Sequence, residues 1–250
     1  MKQTSWEPVH KWYDESLGQS GDYMHTEIII PKTLALLRLE THSSLLDLGC
    51  GQGILARFLP QTVGYSGVDI SPSLIAKAKA RDSHPGHRYS VGDITRPLGL
   101  PERSFTHAVS ILTIDNIENP KCVFEHAAQI LMPQGVFTIV INHPCFRIPR
   151  QSGWDVDQKS KLQFRRINRY LTPLKIPITM HPGYEHSEMT WTFHFPISYY
   201  TRVLADSGYV IETMEEWTSD KKSVGKAASM ENRARTEFPL FLSIKAVLRG

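Results

Sequence analysis

The segment LLDLGCGQG, Leu45–Gly53, decides the fold of this chain. An apolar run of the β type reaches Asp47 and then gives way to glycines at Gly49, Gly51 and the last position of the segment. Such a change is typical of a strand that turns sharply into a helix around a nucleotide-like ligand. In the dinucleotide fingerprint the third glycine follows the second by three residues, but Ile54 occupies that place here. The spacing G-x-G-x-G therefore favours a different adenosine-containing ligand.

Two further carboxylates follow short apolar runs downstream of the glycines. VGYSGVDI reaches Asp69 about twenty residues after the loop, where α/β nucleotide folds place an acid that accepts the ribose hydroxyls. Asp93, in SVGDIT, follows another short β-like segment. A single aspartate at such a position usually begins a turn or caps a helix. Three of them in register with a glycine loop indicate one nucleoside site.

This combination of Asp47, the glycine loop, Asp69 and Asp93 resembles the motifs of the class I S-adenosylmethionine (SAM)-dependent methyltransferases. The resemblance covers roughly residues 10–142 and returns more weakly over residues 197–247. It implies an enzyme that uses SAM and releases S-adenosylhomocysteine. The cofactor contacts that it implies are Tyr13, Tyr23, His25, Asp47, Gly49, Cys50, Gly51, Gly53, Asp69, Ile70, Asp93, Ile94, Ser110 and Ile111.

The N-terminal segment resembles the opening of small-molecule methyltransferases. In these enzymes a tyrosine-bearing segment covers the SAM pocket before the first core helix. Tyr13, Tyr23 and His25 match that arrangement. The alternative is that these rings only pack the first helix against the sheet.

Strands and helices alternate after the glycine loop. Ser71 and Pro72 predict the start of a helix, and GVFTIVIN predicts a buried parallel strand. This order predicts an α/β fold, a doubly wound and mostly parallel sheet with ligands at the carboxyl ends of its strands. The resemblance implies seven strands, the last one antiparallel. We expect a helical cover over residues 1–40, a Rossmann-like core over 41–142, a lid insertion over 143–196 and a completion of the sheet over 197–250.

The insertion contains many prolines, many aromatic residues and no long periodic run. It is too apolar for a disordered linker, and the prolines argue against regular sheet or a long helix. We therefore expect an irregular lid that folds over the active rim of the sheet. Its aromatic residues suit a flat acceptor and are Phe146, Trp154, Phe164, Tyr170, Tyr184, Trp191, Phe193 and Phe195.

Four residues are candidates for a catalytic base. Asp115 lies just beyond the fourth predicted strand, and His143 directly follows the fifth. His194 and Glu185 belong to the lid or its return strand and can reach the site from the other side. For the histidines the alternative is a structural hydrogen bond, and for Asp115 it is a loop cap.

The acceptor is the least determined part of the prediction. The N/D-P-P-[YFW] tetrad that positions a planar amine is absent, because the corresponding stretch reads Ile114, Asp115, Asn116, Ile117. The remaining resemblance is to the small-molecule group that includes ubiquinone and menaquinone C-methyltransferases. It implies a small, aromatic or apolar acceptor, although the long lid departs from those enzymes.

Composition sets limits on the alternatives. The formal net charge is only +3, but basic residues cluster in residues 159–170 and 221–235, so a tRNA or rRNA methyltransferase is one alternative. A non-catalytic SAM-binding protein is another.

Three scattered cysteines fit a reducing, cytoplasmic compartment, and Cys50 is expected to serve packing. The apolar runs are too short to span a bilayer, and the histidines lack metal-site spacing, so we expect no metal.

Overall fold

The computed structural model describes residues 6–181, 183 and 187–250. Within these residues the strands are β1 (Ser44–Leu48), β2 (Gly64–Asp69), β3 (His87–Val91), β4 (Phe105–Ile111), β5 (Leu131–Asn142), β6 (Ser152–Asp157), β7 (Leu162–Ile167), β8 (Leu174–Thr179), β9 (Met189–His194), β10 (Tyr209–Trp217) and β11 (Phe241–Leu248). The α-helices are α1 (His10–Leu17), α2 (Ile30–Leu37), α3 (Pro72–Arg81), α4 (Lys121–Ile130), α5 (Ile197–Asp206) and α6 (Ala228–Glu237).

The main sheet has seven strands in the order β10-β11-β5-β4-β1-β2-β3. The pairings β1 with β2, β1 with β4, β2 with β3 and β4 with β5 are parallel. β11, the last strand in sequence, runs antiparallel to both β5 and β10. The predicted α/β class and antiparallel last strand are confirmed.

Strand β1 carries leucines on both of its faces because both faces of the sheet are covered. Leu46 and Leu48 belong to one hydrophobic core, whereas Leu45 belongs to another on the opposite face. All three side chains are at most 2% exposed. Alternate residues of a strand point to opposite faces. Leu45 and Leu46 therefore face opposite sides of the sheet, and both sides are hydrophobic.

The helix predicted from Ser71 and Pro72 begins where it was expected. The Ser71 hydroxyl accepts a hydrogen bond from the Leu74 backbone N–H at 3.2 Å, and the proline occupies the first helical turn. This cap satisfies one of the free N–H groups of the helix start. It places α3 directly behind Asp69, at the carboxyl end of β2.

The expectation of an irregular insertion is wrong. Residues 152–167 form the hairpin β6–β7, and β8 pairs with β9 in a second hairpin. Prolines exclude strands only from the middle of a sheet, whereas each strand of a two-stranded hairpin has one free edge. Pro177 therefore fits within β8, opposite Trp191. The insertion does cover the rim of the main sheet, because the Thr192 hydroxyl of β9 donates to the Asp115 carbonyl at 3.0 Å.

Candidate functional site

The loop after β1 depends on two glycines for different reasons. Gly49 has φ +84°, and a Cβ there would lie 2.3 Å from the Thr113 side chain, so only glycine lets the loop after β4 approach. Gly51 has φ +54°, and no atom lies within 4 Å of the position of its Cβ. Its backbone therefore faces open space. A ligand can approach the chain closely there, as the sequence predicted.

Asp69 is fixed at the end of β2 next to this open face. Its two carboxylate oxygens accept from the Gly51 and Ser71 backbone N–H groups, each at 2.9 Å. Burial raises the pKa of this carboxyl despite these bonds. A carboxylate has about four acceptor positions, and the backbone N–H groups do not use all of them, so acceptor capacity remains for a ribose hydroxyl. The position of this carboxylate beside Gly51 therefore fits a bound nucleoside.

Asp47 is a buried acid on the floor of the same loop. It is 2% exposed and accepts a hydrogen bond from the Tyr65 hydroxyl at 2.8 Å. Burial raises the pKa of its carboxyl to about 7, and the nearby Asp69 adds to the rise. The pKa of the neighbouring Cys50 thiol is also raised by burial, so the thiol is protonated and packs as a small apolar group.

A narrow cavity of about 40 Å³ lies over the loop. Small-molecule pockets usually measure roughly 300–1,000 Å³, so the narrow cavity is smaller than a nucleoside requires. Five lining residues were not predicted, because an apolar or amide side chain gives no sign in the sequence that it contacts a ligand. They are Leu17, Ile30, Gln52, Ile54 and Leu55. The lining residues are Tyr13, Leu17, His25, Ile30, Asp47, Gly49, Cys50, Gly51, Gln52, Ile54, Leu55 and Ile111.

The N-terminal cover is held to α3 by an ion pair. Arg81 donates to both oxygens of the buried Asp14 at 2.6 and 2.8 Å.

Tyr13 and His25 line the cavity, whereas the Tyr23 hydroxyl donates to Asp220 in the segment between β10 and α6. Tyr23 thus lies away from the narrow cavity, and its predicted cofactor contact is without geometric support.

Several predicted cofactor contacts are not among the residues that line the narrow cavity, namely Gly53, Asp69, Ile70, Asp93, Ile94 and Ser110. Asp93 accepts from the Thr95 backbone N–H at 3.0 Å and from its hydroxyl at 2.6 Å, an arrangement that leaves its second oxygen toward Arg96. The Ser110 hydroxyl donates to the Leu48 carbonyl at 2.9 Å and is fully buried. Their contacts with a cofactor remain predictions.

A larger cavity of about 320 Å³ lies at the ends of β4 and β5, below the lid strand β9. Of the four predicted bases it brings together Asp115 and His194. Of the eight lid aromatics named from the sequence it contains only Phe193 and Phe195; Tyr184 and Glu185 lie outside the described residues. The lining residues are Asp115, Asn142, Pro144, Arg147, Ile148, Pro149, Ser152, Arg165, Thr192, Phe193, His194, Phe195 and Tyr200.

Asp115 combines burial with one free oxygen. Its side chain is in a short 3-10 helix after β4, and only Oδ2 is hydrogen-bonded, to the Asn142 backbone N–H at 2.9 Å and side-chain amide at 3.0 Å. Burial raises the pKa of the carboxyl to about 6, against the effect of those bonds. Asp115 is therefore ionised near neutral pH but holds a proton more readily than a surface aspartate.

His194 is a neutral imidazole with one free nitrogen. Its Nε2 lies 2.6 Å from the Tyr170 carbonyl, which can only accept, so Nε2 carries the proton and Nδ1 carries the lone pair. Burial lowers the pKa of the ring. Nδ1 can accept a proton from a group bound in the larger cavity.

His143 has both ring nitrogens in use. Nε2 lies 2.7 Å from Glu216, and Nδ1 accepts from the Cys145 backbone N–H at 3.2 Å. The ring is 1% exposed and is not among the residues that line the larger cavity. Burial lowers the pKa of the imidazole, while Glu216 opposes this shift. These contacts favour the structural alternative for His143, and its catalytic role remains a prediction.

The arginines of the larger cavity were missed as site residues. Arg165 was assigned to a basic stretch for nucleic acid, and Arg147 was not singled out. Arg165 lies on β7 and points inward, where it donates to the Phe146 carbonyl and, at 2.9 Å, to the Ser152 hydroxyl. A hairpin places alternate residues on opposite faces, but the hairpin itself was not predicted, so no signal separated Arg165 from Arg166.

Among the residues that the structure describes, no group of three or more histidine, cysteine, aspartate and glutamate side chains could hold a metal ion. Nor does any helix in the described ranges combine the length and apolar character needed to cross a bilayer.

Residues 46–139 match the family described as Methyltransferase domain. A physcion biosynthesis cluster O-methyltransferase from Aspergillus chevalieri is 33% identical over 103 residues, 38% of this chain and 46% of the relative. The 18S rRNA (guanine(1575)-N(7))-methyltransferase of Saccharomyces cerevisiae is 33% identical over 108 residues, 40% of this chain and 37% of the relative. The chain therefore spans less than half the length of these two curated relatives.

A solved SAM-dependent methyltransferase from Mesorhizobium loti superposes with a TM-score of 0.70 at 26% identity, covering 92% of this chain and all of the other. The family match thus covers residues 46–139, and the fold over 92% of the chain is that of the solved SAM-dependent methyltransferase. The Mesorhizobium loti protein is named as dependent on S-adenosylmethionine. The ubiquinone-like subgroup is not distinguished by these similarities.

Proposed function

We propose that the chain transfers a methyl group from SAM to a small acceptor bound in the larger cavity. The observation that carries this proposal is the position of the two cavities at one rim of the sheet. Ile111, the last residue of β4, lines the narrow cavity, and Asp115, four positions further on, lines the larger one. A donor over the glycine loop and an acceptor below β9 therefore meet at the end of β4.

The residues of the chain position the two substrates and accept a proton from the methyl acceptor. SAM, when bound, supplies a methyl group that its sulfonium already activates for in-line displacement. Asp69 and the Gly51 backbone would hold the nucleoside, and proximity then accounts for most of the rate. An acceptor hydroxyl or ring carbon must also lose a proton. The free Asp115 oxygen and the His194 Nδ1 are the two proton acceptors that we propose for this step.

We propose that the acceptor has an aromatic or apolar body, which includes a quinone-type ring. Phe193, Phe195 and Tyr200 lie together on the cavity wall, and such rings bind flat apolar groups. The relative from Aspergillus is named as an O-methyltransferase of a biosynthesis cluster, which is consistent with a small acceptor.

RNA methylation is a second candidate because a curated relative is named as an rRNA methyltransferase. Arg166 and Arg169 are exposed and could contact phosphates. Two observations count against it. Arg165 points into the cavity instead of joining them, and the stretch 221–235 contains α6, whose Glu231 and Arg235 pair with each other.

The proposed function is tested with methyl-labelled SAM and an extract of the cells that encode the chain, analysed by mass spectrometry. We expect label in a small molecule, and about a 10- to 100-fold weaker Kd for SAM in Asp69→Ala, which loses charge-assisted bonds to the ribose. Asp206→Ala, a change at an exposed aspartate, is the matched control. Label in RNA would favour the second candidate, and SAM binding without any labelled product would favour a non-catalytic protein.

A further inference from the structure

Two guanidinium groups share the larger cavity with a single carboxylate. Arg147 and Arg165 line it together with Asp115. Within the described residues the Arg147 guanidinium forms no hydrogen bond or ion pair, and its Cζ lies 5.2 Å from the centre of the Phe241 ring. Its five N–H donors are thus available to a bound molecule.

Arg165 is held in place rather than free. It bonds the Phe146 carbonyl and the Ser152 hydroxyl, and its Cζ lies 4.9 Å from the Trp154 ring. Ser152 in turn donates to the carbonyls of Phe146 and Ile148, so the turn before β6 fixes the guanidinium. Such preorganisation lowers the entropy that a ligand must lose on binding.

The charges of the cavity do not balance. Arginine stays protonated in proteins, His194 is neutral, and Asp115 carries one negative charge above a pKa of about 6. The cavity therefore carries a net charge of about +1 near pH 7.5. Partial burial lowers the pKa of Arg147, the nearby Asp115 opposes this shift, and the charge of Arg165 adds to it. Arg147 is still exposed to solvent, so the excess positive charge attracts an anionic ligand without a large desolvation cost to the protein.

We propose that the acceptor of this methyltransferase carries a carboxylate, bound by Arg147 and Arg165, with its apolar body against Phe193 and Phe195. This inference rests on the proposed function. A monoanion matches the residual charge, and a guanidinium binds a carboxylate through two parallel hydrogen bonds. A phosphate dianion would exceed that charge and would be repelled by Asp115 more strongly than a monoanion. The carboxylate also orients the acceptor, so that its nucleophile faces the rim near Asp115.

The test measures binding of small acids and their neutral esters by calorimetry. The probes are 4-hydroxybenzoate and 3-(4-hydroxyphenyl)propionate, their methyl esters, and phenyl phosphate. Each is titrated into the protein with and without saturating S-adenosylhomocysteine. We expect at least one acid to bind about tenfold or more tightly than its ester, since hydrogen bonds between charged groups are the strong ones.

Variants assign that preference to the arginines. Arg147→Met should remove the preference for the acid and leave ester binding unchanged, and Arg147→Lys should restore only part of it because lysine lacks the bidentate fork. Arg166→Met, on the exposed face of the same strand as Arg165, is the matched control and should bind like the parent. Arg165→Met is interpreted only if its melting temperature matches that of the parent, because Arg165 also holds the turn.

Three results would overturn the inference: acids and esters that bind equally, phenyl phosphate that binds more tightly than both acids, or no acid that binds at millimolar concentration. Failure of the proposed function looks different, because S-adenosylhomocysteine itself would then give no heat. The preference for acids and its loss in Arg147→Met are measured without that nucleoside as well, so the two failures are distinguishable.

Discussion

Asp115→Asn should make the protein more stable and less active at neutral pH. The carboxyl is buried in the larger cavity, and only Oδ2 is hydrogen-bonded, to two donors of Asn142. An asparagine oxygen can keep both bonds, since both end on the same atom. The substitution therefore removes the buried charge and the proposed proton acceptor while it preserves the local structure.

The magnitude follows from the pKa. A rise from 3.8 to about 6 in the folded protein corresponds to about 3 kcal/mol, at 1.36 kcal/mol for each pKa unit. Between these values the native state binds more protons than the unfolded chain. The free energy of unfolding of the parent therefore falls as pH rises from about 4 to about 6, and the contribution of Asp115 is then constant. Asp47, with a pKa of about 7, also makes the free energy of unfolding fall as pH rises, and it does so equally in the parent and in Asp115→Asn.

Urea denaturation of parent and variant at several pH values isolates the contribution of Asp115. We expect the variant to equal the parent near pH 4 and to be more stable by up to about 3 kcal/mol at pH 7.5. Its turnover should fall by roughly 10²- to 10⁴-fold, and the rise of activity through pH 6 should disappear. A difference in stability that does not change with pH would refute the buried-charge reasoning. Unchanged turnover would refute the role as a base.

Two further substitutions test separate parts of the site. His143→Ala should lower the free energy of unfolding by about 1–3 kcal/mol, because the buried ring no longer packs against Phe146 and the Cys145 backbone N–H loses its acceptor. Calorimetry should find the Kd for SAM little changed, and a loss confined to turnover would instead support a catalytic role. Gly51→Ala should weaken SAM binding beyond the strain of its φ of +54°, since the added methyl group points into open space where the cofactor would lie. Gly99→Ala, at φ +65° with equal space, is its control and should bind SAM normally.

The core of the fold was predictable because local signals and tertiary structure agree there. Ser71 and Pro72 begin α3 as expected, and the run before Asp47 is buried on both faces, as a central parallel strand requires. Asp47, Asp69 and the glycine loop come together because the carboxyl ends of parallel strands share one rim. The part of the narrow cavity that the glycine loop forms was therefore predictable from the sequence.

The lid was not predictable in the same way. Its hairpins are two-stranded, so prolines such as Pro177 do not exclude them. Helix α6 escaped notice because it buries only Ala234 and lacks an apolar stripe. Without the β6–β7 register, Arg165 and Arg166 are equivalent basic residues. The structure separates them into a cavity residue and a surface residue.

The most direct test of the account is a crystal structure of the protein with S-adenosylhomocysteine. We expect the nucleoside over Gly51, with its ribose hydroxyls within hydrogen-bond distance of Asp69, α1 displaced outward and the sulfur directed toward the cavity that contains Asp115. A nucleoside bound elsewhere, or a narrow cavity that remains closed and empty at saturating ligand, would contradict the account.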